Sequence, residues 1–200
     1  MTLDDAFARI DSVSGDAPIV LLGYSMGGRI ALHYAVRHPE RVERLVLESA
    51  SPGLRTEEER VRRRAEDEAL AERIVDGGIE AFVQEWQSLP LFASQEHLPD
   101  EVRGRVRRGR LSQGPAGLAA ALRGLGTGSL PSLWEALQDV RVPTLALVGE
   151  LDPKFVEIGL SMTATMPSAR LVVASGAGHT MHLEAPEAWA AAVLEFLSPH

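Results

Sequence analysis

Cysteine is absent from this 200-residue chain, lysine is nearly absent, and aromatic residues make up only 5% of it. Without cysteine there can be no disulfide, no thiolate nucleophile and no zinc site built on thiolates. No apolar run approaches the ~20 residues that a helix needs to cross a bilayer. The amino-terminal MTLDDAFARI carries acids and lacks an apolar core, so it does not read as a signal peptide, and a cytoplasmic location is the expectation. A surplus of base is lacking too. With a formal charge of -8, the chain offers no dominant basic face to a nucleic acid. The remainder, 45% hydrophobic and 24% charged, is the composition of a globular protein long enough for a real core. Of the twenty basic residues only Lys154 is lysine. A GC-rich genome accounts for that overall bias, but not for where the arginines fall.

Apolar runs bounded by glycine or proline mark the strands. Residues 19–22 (IVLL) lie between Pro18 and Gly23, and similar runs occur at 44–48 (RLVLE), 143–149 (PTLALVG) and 170–174 (RLVVA). Such runs suit buried strands of a parallel sheet. Residues 27–37 read as a helix with Ile30, Ala31, Tyr34 and Ala35 on one face, ended by Pro39, and Pro186 opens a last helix at 187–197. Strand and helix alternate, so the expected class is α/β with a parallel sheet. The intervening stretch differs. Thr56 and Glu59 fit a capping box ahead of a charged helix at 57–75, with further helices at 79–87 and 115–124. The expected organisation is a first part of the core sheet with the nucleophile turn (1–51), a helical cap inserted over the sheet (52–137), and a second part of the sheet carrying acid and histidine loops (138–200). No internal repeat or low-complexity linker interrupts it.

The segment GYSMG fits G-x-S-x-G, a weak pattern by itself. Its setting strengthens it, with an apolar strand directly before and a helix directly after. That junction forces a sharp turn, for which the small residues Gly23 and Gly27 leave room. Ser25 is then aimed outward from the carboxyl end of the strand, beside a helix amino terminus. A serine hydroxyl needs an imidazole to take its proton and a carboxylate to orient that imidazole. In a strand–turn–helix arrangement of this kind the order is serine, acid, histidine. Asp152 in LALVGELDPKF and His179 in SGAGHTMHLE follow successive strands in that order. Glu150 and Asp139 are rival acids, and His182 is the rival base. Glycines 176 and 178 give the loop freedom to aim His179. His33, His38, His97 and His200 read as surface or packing residues. The backbone N–H of Met26 is the expected donor to a developing oxyanion, and no loop suited to a second donor is found upstream.

With these residues in view, the chain resembles the α/β-hydrolase fold over nearly its whole length, with the fold's amino-terminal strands missing. The segments VLLGYSMGGRIALHYAVRHPERVERLVLESASPGL, LPLFAS, GLAAALRGLGTGSLPSLW, LVGELDPKF and GAGHTMHLE resemble the 2-succinyl-6-hydroxy-2,4-cyclohexadiene-1-carboxylate synthase family of menaquinone (vitamin K2) biosynthesis. The resemblance implies a lyase that eliminates pyruvate from 2-succinyl-5-enolpyruvyl-6-hydroxy-3-cyclohexene-1-carboxylate, with no metal and no organic cofactor. Ser25, His179 and Asp152 would serve as a base, and no acyl-enzyme would form. The substrate carries three carboxylates, which arginine binds through a two-pronged fork. Eleven arginines fall between Arg55 and Arg110. Most suit a solvated helix laced by ion pairs, but Arg63 and Arg110 match the family's substrate-binding arginines, and Tyr24 and Trp86 its substrate-lining aromatics. Met26 would join them through its N–H.

The chain starts within what would be the helix before the nucleophile strand, which points to a misplaced start codon or a partial sequence. The strand at 19–22 should then expose an apolar edge. Two other readings stay open: a carboxylesterase or carbon–carbon hydrolase on the same fold with Ser25 as a true nucleophile, and an inactive fragment that only binds a partner.

Overall fold

Four strands pair in parallel in the computed structural model, which describes residues 1–198. β1 (Ile19–Tyr24), β2 (Val42–Glu48), β3 (Thr144–Gly149) and β4 (Ala169–Ala174) lie in the order β1-β2-β3-β4. The register sets Leu22 beside Val46, Leu47 beside Ala146, and Leu147 beside Val172. All four strands expected from the apolar runs are present, with ends shifted by no more than two residues. Among the described residues β1 stands at one end of this sheet, and its Val20 and Leu22 are exposed.

The chain divides into two compact units. The sheet unit comprises Asp4–Pro52 and the chain from Leu133 onward. It contains the helices α1 (Leu3–Ser14, from its second residue), α2 (Met26–Arg37), α6 (Pro153–Thr165), α7 (Met181–Glu184) and α8 (Pro186–Leu197). Alternate residues of the strands point to opposite faces. One face therefore presents Val46, Leu145, Leu147, Val172 and Ala174, which pack with Met181 of α7 and with Ala192, Val193 and Trp189 of α8. Helix α2 lies against β1 and β2, and α6 against β3 and β4. Helix α1 docks on α2 through Phe7, whose ring meets Tyr34 edge-on at 5.2 Å. The fully buried Tyr34 donates its hydroxyl proton to Asp11 Oδ1 at 2.5 Å, so no polar atom of that ring is left unsatisfied.

The helical unit comprises Met1–Leu3 and Gly53–Ser132. It holds α3 (Glu57–Gln87), α4 (Asp100–Leu111) and α5 (Pro115–Leu125). The capping box is present: Thr56 Oγ1 accepts from the Glu59 N–H at 3.2 Å, and Glu59 accepts from the Thr56 N–H at 2.9 Å. Helix α3 contains both expected helices, 57–75 and 79–87, in one run broken at Gly78, where φ is 77° and ψ 173°. Helix α4 was not foreseen. Its DEVRGRVRRGRL has only Val102 and Val106 to suggest an apolar face before its last residue, and two glycines weaken the helical signal.

His33 is 2% exposed on α2. Burial, followed by the charges of Arg29 and Arg37, pushes its pKa from 6.5 down to about 4. The folded protein therefore keeps His33 neutral, whereas the unfolded chain takes up a proton below pH 6.5. Stability is full above that pH and falls as the pH drops towards 4, by up to about 3 kcal/mol for this one group. We expect His33→Leu to flatten the loss of urea-unfolding free energy between pH 7 and pH 4.5. An unchanged slope would remove His33 as its cause.

Candidate active site

The turn between β1 and α2 holds Ser25 at φ 51°, ψ -113°. A non-glycine residue there is strained by about 1–3 kcal/mol, so its surroundings must hold it. A methyl group at Gly23 would lie 2.5 Å from the Gly27 carbonyl oxygen. One at Gly28 would lie 2.5 Å from Ala50 Cβ and 2.8 Å from the Gly23 oxygen, whereas Gly27 has open space around it. Thus Gly23 and Gly28, rather than Gly23 and Gly27, are the positions where a side chain cannot fit. Gly27 takes part only through its backbone. The Ser25 N–H donates to the Glu48 carbonyl at 2.8 Å, pinning the turn to β2.

Asp152 follows β3 and caps α6, accepting weakly from the Phe155 N–H. His179 lies between β4 and α7 and is 2% exposed. Its Nδ1 lies 2.6 Å from Asp152 Oδ2, and its Nε2 lies 3.1 Å from Ser25 Oγ. The carboxylate accepts the Nδ1–H, which leaves the Nε2 lone pair to receive the serine hydroxyl proton. Phe155 packs on the imidazole at 4.7 Å, and Tyr24 at 5.5 Å. Met26 opens α2, so its N–H sits at the positive end of the helix.

The rivals are engaged elsewhere. Glu150 accepts from the Ser175 hydroxyl at 2.8 Å and the Gly176 N–H at 3.0 Å, and these donors hold its carboxyl below the usual range. Asp139 is exposed in a short turn at 136–139. His182 Nδ1 lies 2.7 Å from Glu48 Oε1, and its ring meets Tyr24 at 5.1 Å. His33 is buried, His38 packs beside Phe7 and Tyr34, and His97 is exposed. His200 lies outside the described residues.

Several contributors were not visible in the sequence. Glu184 accepts from the Gly178 N–H (2.7 Å), the Thr180 N–H (2.9 Å) and the Thr180 hydroxyl (2.7 Å), clasping the chain on both sides of His179. Glu48, 1% exposed, accepts from the His182 backbone and ring and from Trp189 Nε1 at 2.9 Å. Among the described residues no three His, Asp or Glu side chains gather into a group able to hold a metal ion.

Within the helical unit, Arg63 and Trp86 line one cavity of about 230 Å³. The Arg110 guanidinium carbon lies 4.7 Å from the centre of the Phe92 ring, and Phe92 lies 5.8 Å from Trp86. Arg60 and Arg64 both bridge to Glu57, and Arg64 also donates to the Gly128 carbonyl. The three helical-unit residues singled out in the sequence thus share one neighbourhood, and these two neighbouring arginines are tied down elsewhere.

The family model for the alpha/beta hydrolase fold matches residues 1–186. The 2-succinyl-6-hydroxy-2,4-cyclohexadiene-1-carboxylate synthase of Serratia proteamaculans (strain 568) is 32% identical over 200 residues, covering 98% of this chain and 75% of that one. The chain belongs to the α/β-hydrolase fold family, in the branch of these synthases. A relative in Bacillus subtilis (strain 168) that bears the same name provisionally is 47% identical over 180 residues, 90% of this α/β-hydrolase-fold chain and 66% of its own length. The solved structure of MenH from S. aureus superposes with a TM-score of 0.93 at 43% identity, covering 98% of this chain and 75% of that one. A thermophilic esterase from Thermogutta terrifontis superposes at 0.81 with 30% identity, covering 98% and 72%. The chain spans about two thirds of the length of the first of these curated relatives.

The geometry sets His179 Nε2 within reach of the Ser25 hydroxyl proton. A fluorophosphonate should label Ser25, read by mass spectrometry, and His179→Ala should slow labelling by about a hundredfold or more. Equal rates would mean that Nε2 does not activate the hydroxyl.

Proposed function

We propose that this protein is a lyase that eliminates pyruvate from 2-succinyl-5-enolpyruvyl-6-hydroxy-3-cyclohexene-1-carboxylate, giving 2-succinyl-6-hydroxy-2,4-cyclohexadiene-1-carboxylate in the menaquinone pathway. The observation that carries this reading is the chain of short contacts from Asp152 through His179 to Ser25 in a chain of the synthase branch. The substrate and product names define the bond changes. The proton at ring carbon 2, next to the succinyl ketone, is lost. The electron pair of that C–H bond forms the C2–C3 double bond, the C3–C4 pair shifts to C4–C5, and the C5–O bond breaks to release enolpyruvate.

Asp152 keeps the Nδ1 proton on His179, so Nε2 draws the proton of Ser25 and the seryl oxygen removes the ring proton. The resulting imidazolium is stabilised by the buried Asp152 carboxylate. The Met26 N–H, at the start of α2, stabilises the negative charge that develops on the ketone oxygen. The proton held by His179 returns to the departing enolpyruvate, which becomes pyruvate. The elimination needs only proton transfer, charge stabilisation and departure of an enolate, so the reaction asks for no metal or organic cofactor. Arg63 and Arg110 supply forks for substrate carboxylates, and Tyr24 and Trp86 present ring faces to the substrate. A small polycarboxylate is the only partner this chemistry calls for. No helix among the described residues is long and apolar enough to cross a membrane, in keeping with a cytoplasmic biosynthetic role.

The similarity to an esterase at 30% identity favours a second reading, ester hydrolysis through an acyl-Ser25. The two readings part on one assay. As a lyase, the protein should release pyruvate from the enolpyruvyl substrate. Ser25→Ala should abolish that release, and Arg110→Ala should raise KM about tenfold or more while changing kcat little, the pattern for a lost charge-assisted contact made equally in ground and transition states. Hydrolysis of an aryl ester with trapped acyl-Ser25 and no pyruvate release would select the esterase.

A further inference from the structure

Asp67 is 3% exposed on α3, one turn beyond Arg63. Its Oδ1 accepts from Arg63 Nε at 2.8 Å. Among the described residues its Oδ2 receives no hydrogen bond, and the terminal nitrogens of Arg63 donate to no group. A buried carboxylate with a single donor is a poor device for stability, because the cost of removing its charge from water exceeds the gain from one bond. An exposed acid at the same spacing would form the i,i+4 pair without that cost, as the exposed Glu57 pairs with Arg60 and Arg64 on this helix. The burial of Asp67 therefore needs another explanation.

The glycine-rich segment GLGTG provides one. A methyl group at Gly126, just past α5, would lie 2.5 Å from Asp67 Oδ2. A methyl group at Gly128 would lie 2.6 Å from the Arg64 nitrogen, 2.8 Å from the Arg60 oxygen and 3.0 Å from the Arg63 carbonyl carbon. This segment thus packs bare backbone against the turn of α3 that carries Arg63, and Gly126 leaves just the space that the Asp67 carboxylate fills. Asp67 is confined from behind and in turn holds Arg63 by its inner nitrogen. The outer end of the guanidinium is left to the cavity it lines with Trp86.

We propose that Asp67, seated against Gly126, is a positioning residue that presets the Arg63 fork for a substrate carboxylate. This rests on the reading that Arg63 binds such a carboxylate. A flexible arginine loses much rotational freedom when it closes on a ligand, and fixing Nε in the folded state removes part of that loss from binding. Discrimination follows as well: a fork of set direction accepts a planar carboxylate in one orientation.

The test is binding of the enolpyruvyl cyclohexene tricarboxylate in a Ser25→Ala background, where no turnover occurs, measured by calorimetry with the melting temperature of each variant recorded alongside. Asp67→Ala should weaken binding about tenfold, and Asp67→Asn, which keeps an acceptor oxygen for Nε, should stay within about threefold of the parent. In an Arg63→Ala background, Asp67→Ala should add less than about twofold, because it acts through the missing arginine. Two results would overturn the proposal while sparing the role of Arg63: Arg63→Ala weakens binding but Asp67→Ala does not, or the two losses multiply in the double variant. If Arg63→Ala leaves binding unchanged, the reading of Arg63 itself falls, and the positioning role of Asp67 falls with it.

Discussion

A serine held at a backbone angle its side chain resists is the constraint around which the sheet unit is arranged. Ser25 adopts a positive φ because a strand must turn into a helix within one residue, and the close approach of Gly23 to Gly28 allows no other path. Such strain persists only where neighbours fix the chain on both sides. The β1–β2 ladder holds the strand, the Glu48 carbonyl holds the Ser25 N–H, and the buried face of α2 anchors the chain beyond the turn. The placement of the hydroxyl beside His179 is thus a product of packing several residues away.

Around that turn, carboxylates act as fasteners. Asp152 fixes the imidazole, Glu184 clasps the backbone on either side of it, and Glu150 gathers the preceding bend at Ser175 and Gly176. Glu48 joins β2 to α7 and α8, with donors on both its oxygens. A buried carboxylate is tolerable when donors surround it and costly otherwise. Each of these acids therefore specifies a loop geometry more sharply than an apolar contact of the same size could, since displacing the loop strands a charge.

The readable part of the site was the part written locally. Ser25, Asp152 and His179 each stand at a strand end with flanking glycine, proline or helix signals, and local placement set the rivals apart: Glu150 sits closer to the strand end, Asp139 precedes the strand, and glycines 176 and 178 flank the loop of His179 rather than that of His182. The strands were legible because apolar runs bounded by breakers carry their own limits. Partnerships across long sequence separation left no such mark. Nothing near Glu48 announces Trp189 or His182, and nothing near Asp67 announces Gly126. GLGTG was noticeable as a motif, but its purpose became visible only when α3 lay against it. The misassigned glycine has the same cause: the spacing of the motif drew attention to Gly27, while the steric demand falls on Gly28 through Ala50, more than twenty residues away. Helix α4 escaped notice because arginines and glycines fill it where apolar residues would have marked a buried face.

The two ends of the helical unit meet. The Leu133 N–H donates to the Pro52 carbonyl at 2.8 Å, and a methyl group at Gly53 would lie 3.4 Å from the Pro131 oxygen. The chain thus leaves the sheet and rejoins it at almost one point, like a side road with a shared junction. Chain swaps and insertions succeed at such places, because the host feels little beyond the distance between the two ends. Over evolutionary time, the length and composition of everything between Pro52 and Leu133 can be rewritten while β2 and β3 keep their pairing. A lineage could exchange its arginines and aromatics for others without disturbing the contacts from Ser25 through His179 to Asp152.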